Sequence, residues 1–235
     1  MLLDRLRELP EIQCYGETSI AFEHAYLKDD AYVCKLIDEC KYPYIAFKPL
    51  TSSHEVASLL DLRPSARGIW VFRRAEDRAN SAVAKFSDDN LDALRRIRSG
   101  EVVHTWHARG LSPESRELIA GFGRDDLDAY NAAGLIWLIR NRLYFEQGLD
   151  DRSDMLLVAY EDLVSEPDRI LRGLCEFLGT EYVERMAAGI HARSVGKTQS
   201  RLGAELTDLC GRAYDSLYQQ MESEWKALNG GSAQP

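Results

Sequence analysis

The stretch Gly68 to Phe86, GIWVFRRAEDRANSAVAKF, constrains the fold more than any other part of the chain. A short apolar run, Gly68 to Phe72, reads as a strand. It ends in Arg73-Arg74 and turns at once into a helix on which Asp77, Ser81 and Lys85 recur every four residues and share one face. A fixed cation at the strand end, with a hydroxyl one helical face away, can hold a phosphate. Guanidinium offers a planar charged fork and Ser adds a donor. The plainer reading of the same residues is a strand-to-helix turn with solvated arginines.

Other segments supply the rest of an α/β pattern. Met1 to Leu9 has the spacing of an amphipathic helix, closed by Pro10. PYIAFK, Pro43 to Lys48, reads as a buried strand, and Ser53 as the cap of a helix running through Leu60. Asp89 to Arg98 and Pro113 to Gly121 read as short surface helices, joined by GEVVHTWHARGL, which offers no legible chemistry. Leu127, Tyr130, Leu135, Leu138, Ile139 and Leu143 recur at helical spacing, which predicts one long helix from Arg124 to Gln147. MLLVAY, Met155 to Tyr160, is a third apolar strand. Ser165, Pro167 and Asp168 open a helix that ends at Gly179. A last helix spans about Gly203 to Leu228, so residues 1–228 form one domain and 229–235 a disordered tail. Strands alternating with helices imply a parallel sheet covered on both faces.

Charge narrows the partners. A net charge of −9 and a pI near 5.1 argue against general nucleic-acid binding or docking on anionic membranes. An anionic ligand then needs a local basic pocket, for which Arg73, Arg74, Arg78 and Lys85 are the candidates. The five cysteines form no C-x-x-C pair and make an odd count. That disfavours zinc and a disulfide framework, and suits thiols in a reducing compartment. No apolar run approaches the roughly 20 residues that span a bilayer. With charges in its first turns, MLLDRLRELPE is no signal peptide if Met1 is the true start, so a cytoplasmic location is expected.

Two blocks, FKPLTSSHEVASLLDLRPSARGIWVFRRAEDRANS and VAYEDLVSEPDRILRGLCEFLG, together resemble the sulfotransferase superfamily in order and approximate spacing. The resemblance covers roughly Leu2 to Leu217. It implies a P-loop NTPase-like parallel sheet flanked by helices, and 3′-phosphoadenosine 5′-phosphosulfate (PAPS) as the sulfuryl donor, with no metal. PEIQCYGET, Pro10 to Thr18, is similar to the tyrosylprotein branch, which implies Glu17 as general base. Lys48 matches the lysine that steadies charge in the transition state. Arg73 and Ser81 match the 3′-phosphate motif, and Lys85 stands where related enzymes have an arginine. Tyr160 matches a tyrosine near the adenosine. In ARSVGK, Ser194 matches the serine at the bridging oxygen, and Lys197 joins the donor-binding set. The small-molecule branch has Lys-x-His with a histidine base. Here the run is Lys48-Pro49-Leu50, and no C-terminal Arg-Lys-Gly motif follows. The histidines His54, His104, His107 and His191 are expected at the surface or satisfied.

The chemistry agrees with the roles the resemblance implies. Sulfuryl transfer is an in-line displacement between two oxygens, so positioning and charge stabilisation dominate. A carboxylate takes the acceptor's proton, and a cation offsets charge on the leaving phosphate. Each assignment has a plainer alternative: Glu17 as a helix N-terminal charge, Lys48 as a solvated strand end.

The 5′-phosphosulfate loop of the Arg-Ser-Gly-Thr-Thr type is absent from the sequence, together with the strand that should precede it. A start codon chosen too late would explain this. The expectation is then an N-terminally truncated chain that is poorly stable and weakly active or inactive. A second reading is a non-catalytic module that keeps the nucleotide site. A third, a nucleotide kinase, lacks its loop lysine and metal-binding hydroxyl. The acceptor (peptide tyrosine, carbohydrate or small metabolite) and the oligomeric state stay open.

Overall fold

The computed structural model describes residues 1–101, 105–122, 127–191, 196 and 199–231. In chain order these hold α1 (Leu2–Leu6), β1 (Ile12–Tyr15), β2 (Phe22–Glu23), β3 (Tyr26–Leu27), α2 (Asp30–Asp38), β4 (Tyr44–Phe47), α3 (Val56–Asp61), β5 (Gly68–Phe72) and α4 (Ala75–Phe86). There follow α5 (Asp89–Ser99), α6 (Pro113–Phe122), α7 (Ala129–Glu146), β6 (Met155–Ala159), α8 (Tyr160–Ser165), α9 (Pro167–Leu178) and α10 (Ala204–Gly231). Two compact units result. One comprises Met1–Gly68 with Asp162–His191, the other Ile69–Glu161 with the described residues from Gly196 onward.

In the first unit β1 and β4 pair in parallel, from Ile12 opposite Tyr44 to Tyr15 opposite Phe47. Parallel neighbours need a long crossover, and here the β2–β3 hairpin and α2 fill it. Asp29 caps α2 by accepting the Tyr32 N–H at 2.8 Å. The crossover folds back because Ala21, Phe22 and Leu36 bury themselves against Tyr15, Ile45 and Phe47 of the two strands. Tyr15 and Phe47 stack with centroids 5.4 Å apart. Helix α9 has Pro167 at its first position and ends on Gly179 in the left-handed region, at φ 75°. The Gly179 carbonyl accepts the Tyr44 hydroxyl at 2.7 Å, tying α9 to β4.

The second unit is built on α7, in which every residue from Ala132 to Asn141 is buried. A helix apolar nearly all round has to lie inside, and α4, α5 and α10 pack on it. Strand β6 is buried at all five positions and pairs with β5. Side chains of α10 engage its backbone: the Leu157 N–H donates to Glu224 at 2.7 Å, and the Leu157 carbonyl accepts the Trp225 indole N–H at 2.8 Å. Its Ala159 N–H reaches the Met221 sulfur at 3.2 Å.

Several elements differ from the sequence reading. β4 is half-buried, with Tyr44 exposed, rather than fully buried. Ser53 caps no helix: Leu50–Ser52 form one 3₁₀ turn, and α3 opens only at Val56, after Glu55. α7 opens at Ala129, where Asp128 accepts the Asn131 N–H at 2.7 Å. Tyr160 begins α8 instead of closing β6, and α10 continues to Gly231. Among the described residues no helix is long and apolar enough to cross a membrane.

Candidate functional site

Site-bearing residues follow directly on the carboxyl ends of strands in both units. In the first, the Lys48 N–H donates to the Tyr15 carbonyl at 3.0 Å, one step past the β1–β4 ladder. Lys48 therefore lies beside Gly16, and Glu17 comes one residue later. Neighbouring strands run about 5 Å apart, so the register puts this acid and this base at one edge. Gly16 to Ser19 forms a turn through the Ser19 N–H and the Gly16 carbonyl, at 2.9 Å. Both side chains are half-buried. Among the described residues no hydrogen bond or ion pair engages the Glu17 carboxylate or the Lys48 ammonium. The pair is therefore open to a ligand. Lys48 contributes to holding the Asp4 carboxyl below its ordinary range, behind the larger effect of the Met1 amino group.

In the second unit Arg73 follows β5 and Tyr160 follows β6. The guanidinium lies over the tyrosine ring, 4.6 Å from its centroid, so the two strands deliver their carboxyl ends to the same edge. Arg73 also pairs with Asp77 at 3.5 Å. Asp77 is only 6% exposed and accepts the Gly196 N–H at 3.2 Å. The next residue, Arg74, starts α4 with its backbone N–H bonded to the Glu161 carboxylate at 3.0 Å. Its guanidinium lies over Tyr214, 4.9 Å from the centroid. Glu161 also accepts the Tyr214 hydroxyl at 3.3 Å.

Behind this edge lies more positive charge. Arg78 is half-buried, and burial together with the nearby Arg73 cation lowers its pKa. The buried Arg140 donates to the carbonyls of Trp106 and Arg109 at 2.9 and 2.7 Å, and burial depresses its pKa to about 10. It thereby fixes the turn that carries His107. Burial, with Arg140 and Arg78 nearby, pushes the His107 imidazole down to about 4, so it is neutral at pH 7. Ser81 and Lys85 are exposed on α4. Lys85 lies over Phe86, 4.9 Å from the ring centroid, and no bond joins Ser81 to Arg73 among the described residues. Ser194 and Lys197 lie outside the described residues, as does His104.

This architecture matches known structures. A sulfotransferase from Alicyclobacillus acidocaldarius superposes with a TM-score of 0.53 at 16% identity, over 96% of this chain and 93% of that one. The chain has the sulfotransferase fold. A sulfotransferase domain from the curacin biosynthetic pathway superposes with a TM-score of 0.45 at 15% identity, over 80% of this chain and 66% of that one. No family model and no curated protein sequence matches the chain.

Within the sulfotransferase fold the structure joins Arg73 to Tyr160, and aligns Lys48 with the residue before Glu17. In the sequence Asp77 is only a member of a helical face, and Glu161 only part of YEDL. Asp77 is the carboxylate that holds Arg73, and Glu161 caps α4. The i, i+4 spacing of Arg73 and Asp77 was the available signal for the first. Nothing local signalled the second, whose partners lie 87 residues apart.

Proposed function

We propose that the chain transfers a sulfuryl group from PAPS to a hydroxyl acceptor, with peptide tyrosine, a carbohydrate or a small metabolite as the acceptor classes. One observation carries the reading: Glu17 and Lys48 follow adjacent parallel strands, with neither side chain in a hydrogen bond or ion pair with another described residue. Glu17 takes the acceptor's proton, as a carboxylate in hydrogen-bond reach of a hydroxyl does. Lys48 supplies a fixed positive charge where negative charge grows on the leaving phosphate. Arg73 and the Tyr160 ring suit the donor nucleotide, because a guanidinium over an aromatic face matches a phosphate next to a nucleoside. Ser81, Lys85, Ser194 and Lys197 complete the proposed set. When bound, PAPS supplies the activated sulfuryl group.

The test is transfer of radiolabelled sulfate from PAPS to a panel of the three acceptor classes, without metal, by the native chain and by Glu17→Gln. Transfer that falls at least 100-fold in Glu17→Gln supports the reading. No transfer to any acceptor overturns the catalytic part. A second reading, a module that binds the nucleotide without turnover, draws on Asp77 occupying Arg73. It predicts binding of 3′,5′-adenosine bisphosphate with no transfer.

A further inference from the structure

The two most exposed large apolar side chains among the described residues follow closely on Glu17 and Lys48. Ile20 is 59% exposed and Leu50 55%; the first comes three residues after Glu17, the second two after Lys48. Both sit on backbone fixed by their neighbours. The Ser19 N–H donates to the Gly16 carbonyl at 2.9 Å and the Phe22 N–H to the Ser19 carbonyl at 3.0 Å, while Ala21 and Phe22 are buried. A turn closed in this way spans less than roughly 7 Å, so Ile20 stays near Glu17. After Lys48 the chain reverses at once. The Leu50 N–H donates to the Lys48 carbonyl at 3.1 Å across Pro49, at φ −88° and ψ 65°, an inverse γ-turn. Ser52 is buried, and the Thr51 hydroxyl donates to the Ala25 carbonyl at 2.7 Å. That bond ties the turn after β4 to the hairpin that follows Ile20.

A single exposed aliphatic residue is ordinary. Two of them, held beside a proton acceptor and a cation, give a bound molecule apolar surface to cover. The surface is small, because the exposed Tyr42 and Tyr44 lie at the amino end of β4, away from Lys48. Two side chains suit a small molecule better than the roughly 800 Å² per partner of a protein interface. A sugar, with a hydroxyl on nearly every carbon, would give up hydrogen bonds to water against them. We propose that Ile20 and Leu50 select the acceptor, and that it is a small hydrophobic alcohol or phenol. The inference rests on the sulfotransferase reading only for calling this molecule the acceptor.

Binding and transfer are measured separately on the full chain, with butylphenol, glucose and a tyrosine-containing peptide as probes. In calorimetric titration butylphenol should bind tightest of the three. Ile20→Ser and Leu50→Ser, at exposed positions outside the core, should each weaken it about fivefold and leave the affinity for 3′,5′-adenosine bisphosphate unchanged. In transfer from PAPS the same variants should raise KM for butylphenol with kcat within about twofold of native, as loss of uniform binding does. Absence of butylphenol binding, equal affinity in the native chain and the double variant, or tighter binding of glucose or the peptide overturns the inference. Butylphenol binding that needs both side chains, with no transfer to any probe, upholds the apolar site while the sulfotransferase reading fails.

Discussion

The guanidinium of Arg73, just ahead of α4, and the carboxylate of Asp77 in its first turn lie 3.5 Å apart, so a side chain of the protein already occupies a cation suited to phosphate. A nearly buried carboxylate of this kind competes with an incoming oxyanion, and it keeps the arginine folded against Tyr160 when none is bound. Asp77→Asn removes the competitor and takes the Asp77 charge away from Arg73. The variant should lose about 1–3 kcal/mol of stability. Inorganic phosphate should restore part of that loss, with a larger stabilisation than it gives the native chain. Urea unfolding with and without phosphate checks this, and an equal phosphate effect in both chains would show that Arg73 binds no anion.

Tyr160 tests the aromatic side of the same cluster. Its ring, 4.6 Å from the Arg73 guanidinium, contributes about 0.5–2 kcal/mol through cation–π attraction. Tyr160→Phe keeps the face and should bind 3′,5′-adenosine bisphosphate within about twofold of native. Tyr160→Leu should bind several-fold more weakly, by the same energy. Equal affinities for Phe and Leu would remove the ring from the site.

How much of this was legible in the sequence follows the range of the interactions. β5, the Arg73 turn and α4 form within nineteen contiguous residues, and their periodicity and charge placement showed them. α9 announced itself through Pro167 and Gly179, whose backbone preferences act locally. β1 did not, because IQCY becomes a strand through pairing with β4, some thirty residues on. The β2–β3 hairpin was hidden for another reason. Its turn residues His24 and Ala25 have φ of 50° and 66°, where Gly or Asn would have signalled the turn. The tertiary packing holds them there, with the Thr51 hydroxyl donating to the Ala25 carbonyl at 2.7 Å. At the candidate site the residue types were readable, but their partners were not. Arg73 meets Tyr160 across 87 positions, a distance no local pattern spans.

His107 gives the fold a pH dependence of definite sign. Its imidazole ordinarily titrates near 6.5 but is pushed down to about 4 in the folded chain. The unfolded state therefore binds a proton that the folded state refuses. Stability from this group is complete above about pH 6.5 and is lost as pH falls toward 4, by up to about 3 kcal/mol. Arg140 and Arg78 oppose protonation alongside burial. His107→Gln should flatten the difference between denaturant midpoints measured at pH 7 and pH 5. An unchanged difference would place the titration elsewhere.

Glu224 tests how β6 is held. Its carboxylate accepts the Leu157 N–H at 2.7 Å, the Tyr144 hydroxyl at 2.6 Å and the Gln220 amide at 3.0 Å. Burial nevertheless raises its pKa. A raised carboxylate pKa means that the folded state binds a proton more readily than the unfolded one. This group's contribution therefore falls as pH rises from the ordinary carboxylate value through the raised one. Glu224→Gln keeps an acceptor for Leu157, carries no charge to desolvate, and should abolish that decline. Glu224→Leu leaves a strand N–H and the Tyr144 hydroxyl without their acceptor. It should be less stable than Glu224→Gln by at least about 2 kcal/mol at pH 7. Equal stabilities for the two variants would mean that water, rather than α10, satisfies the strand.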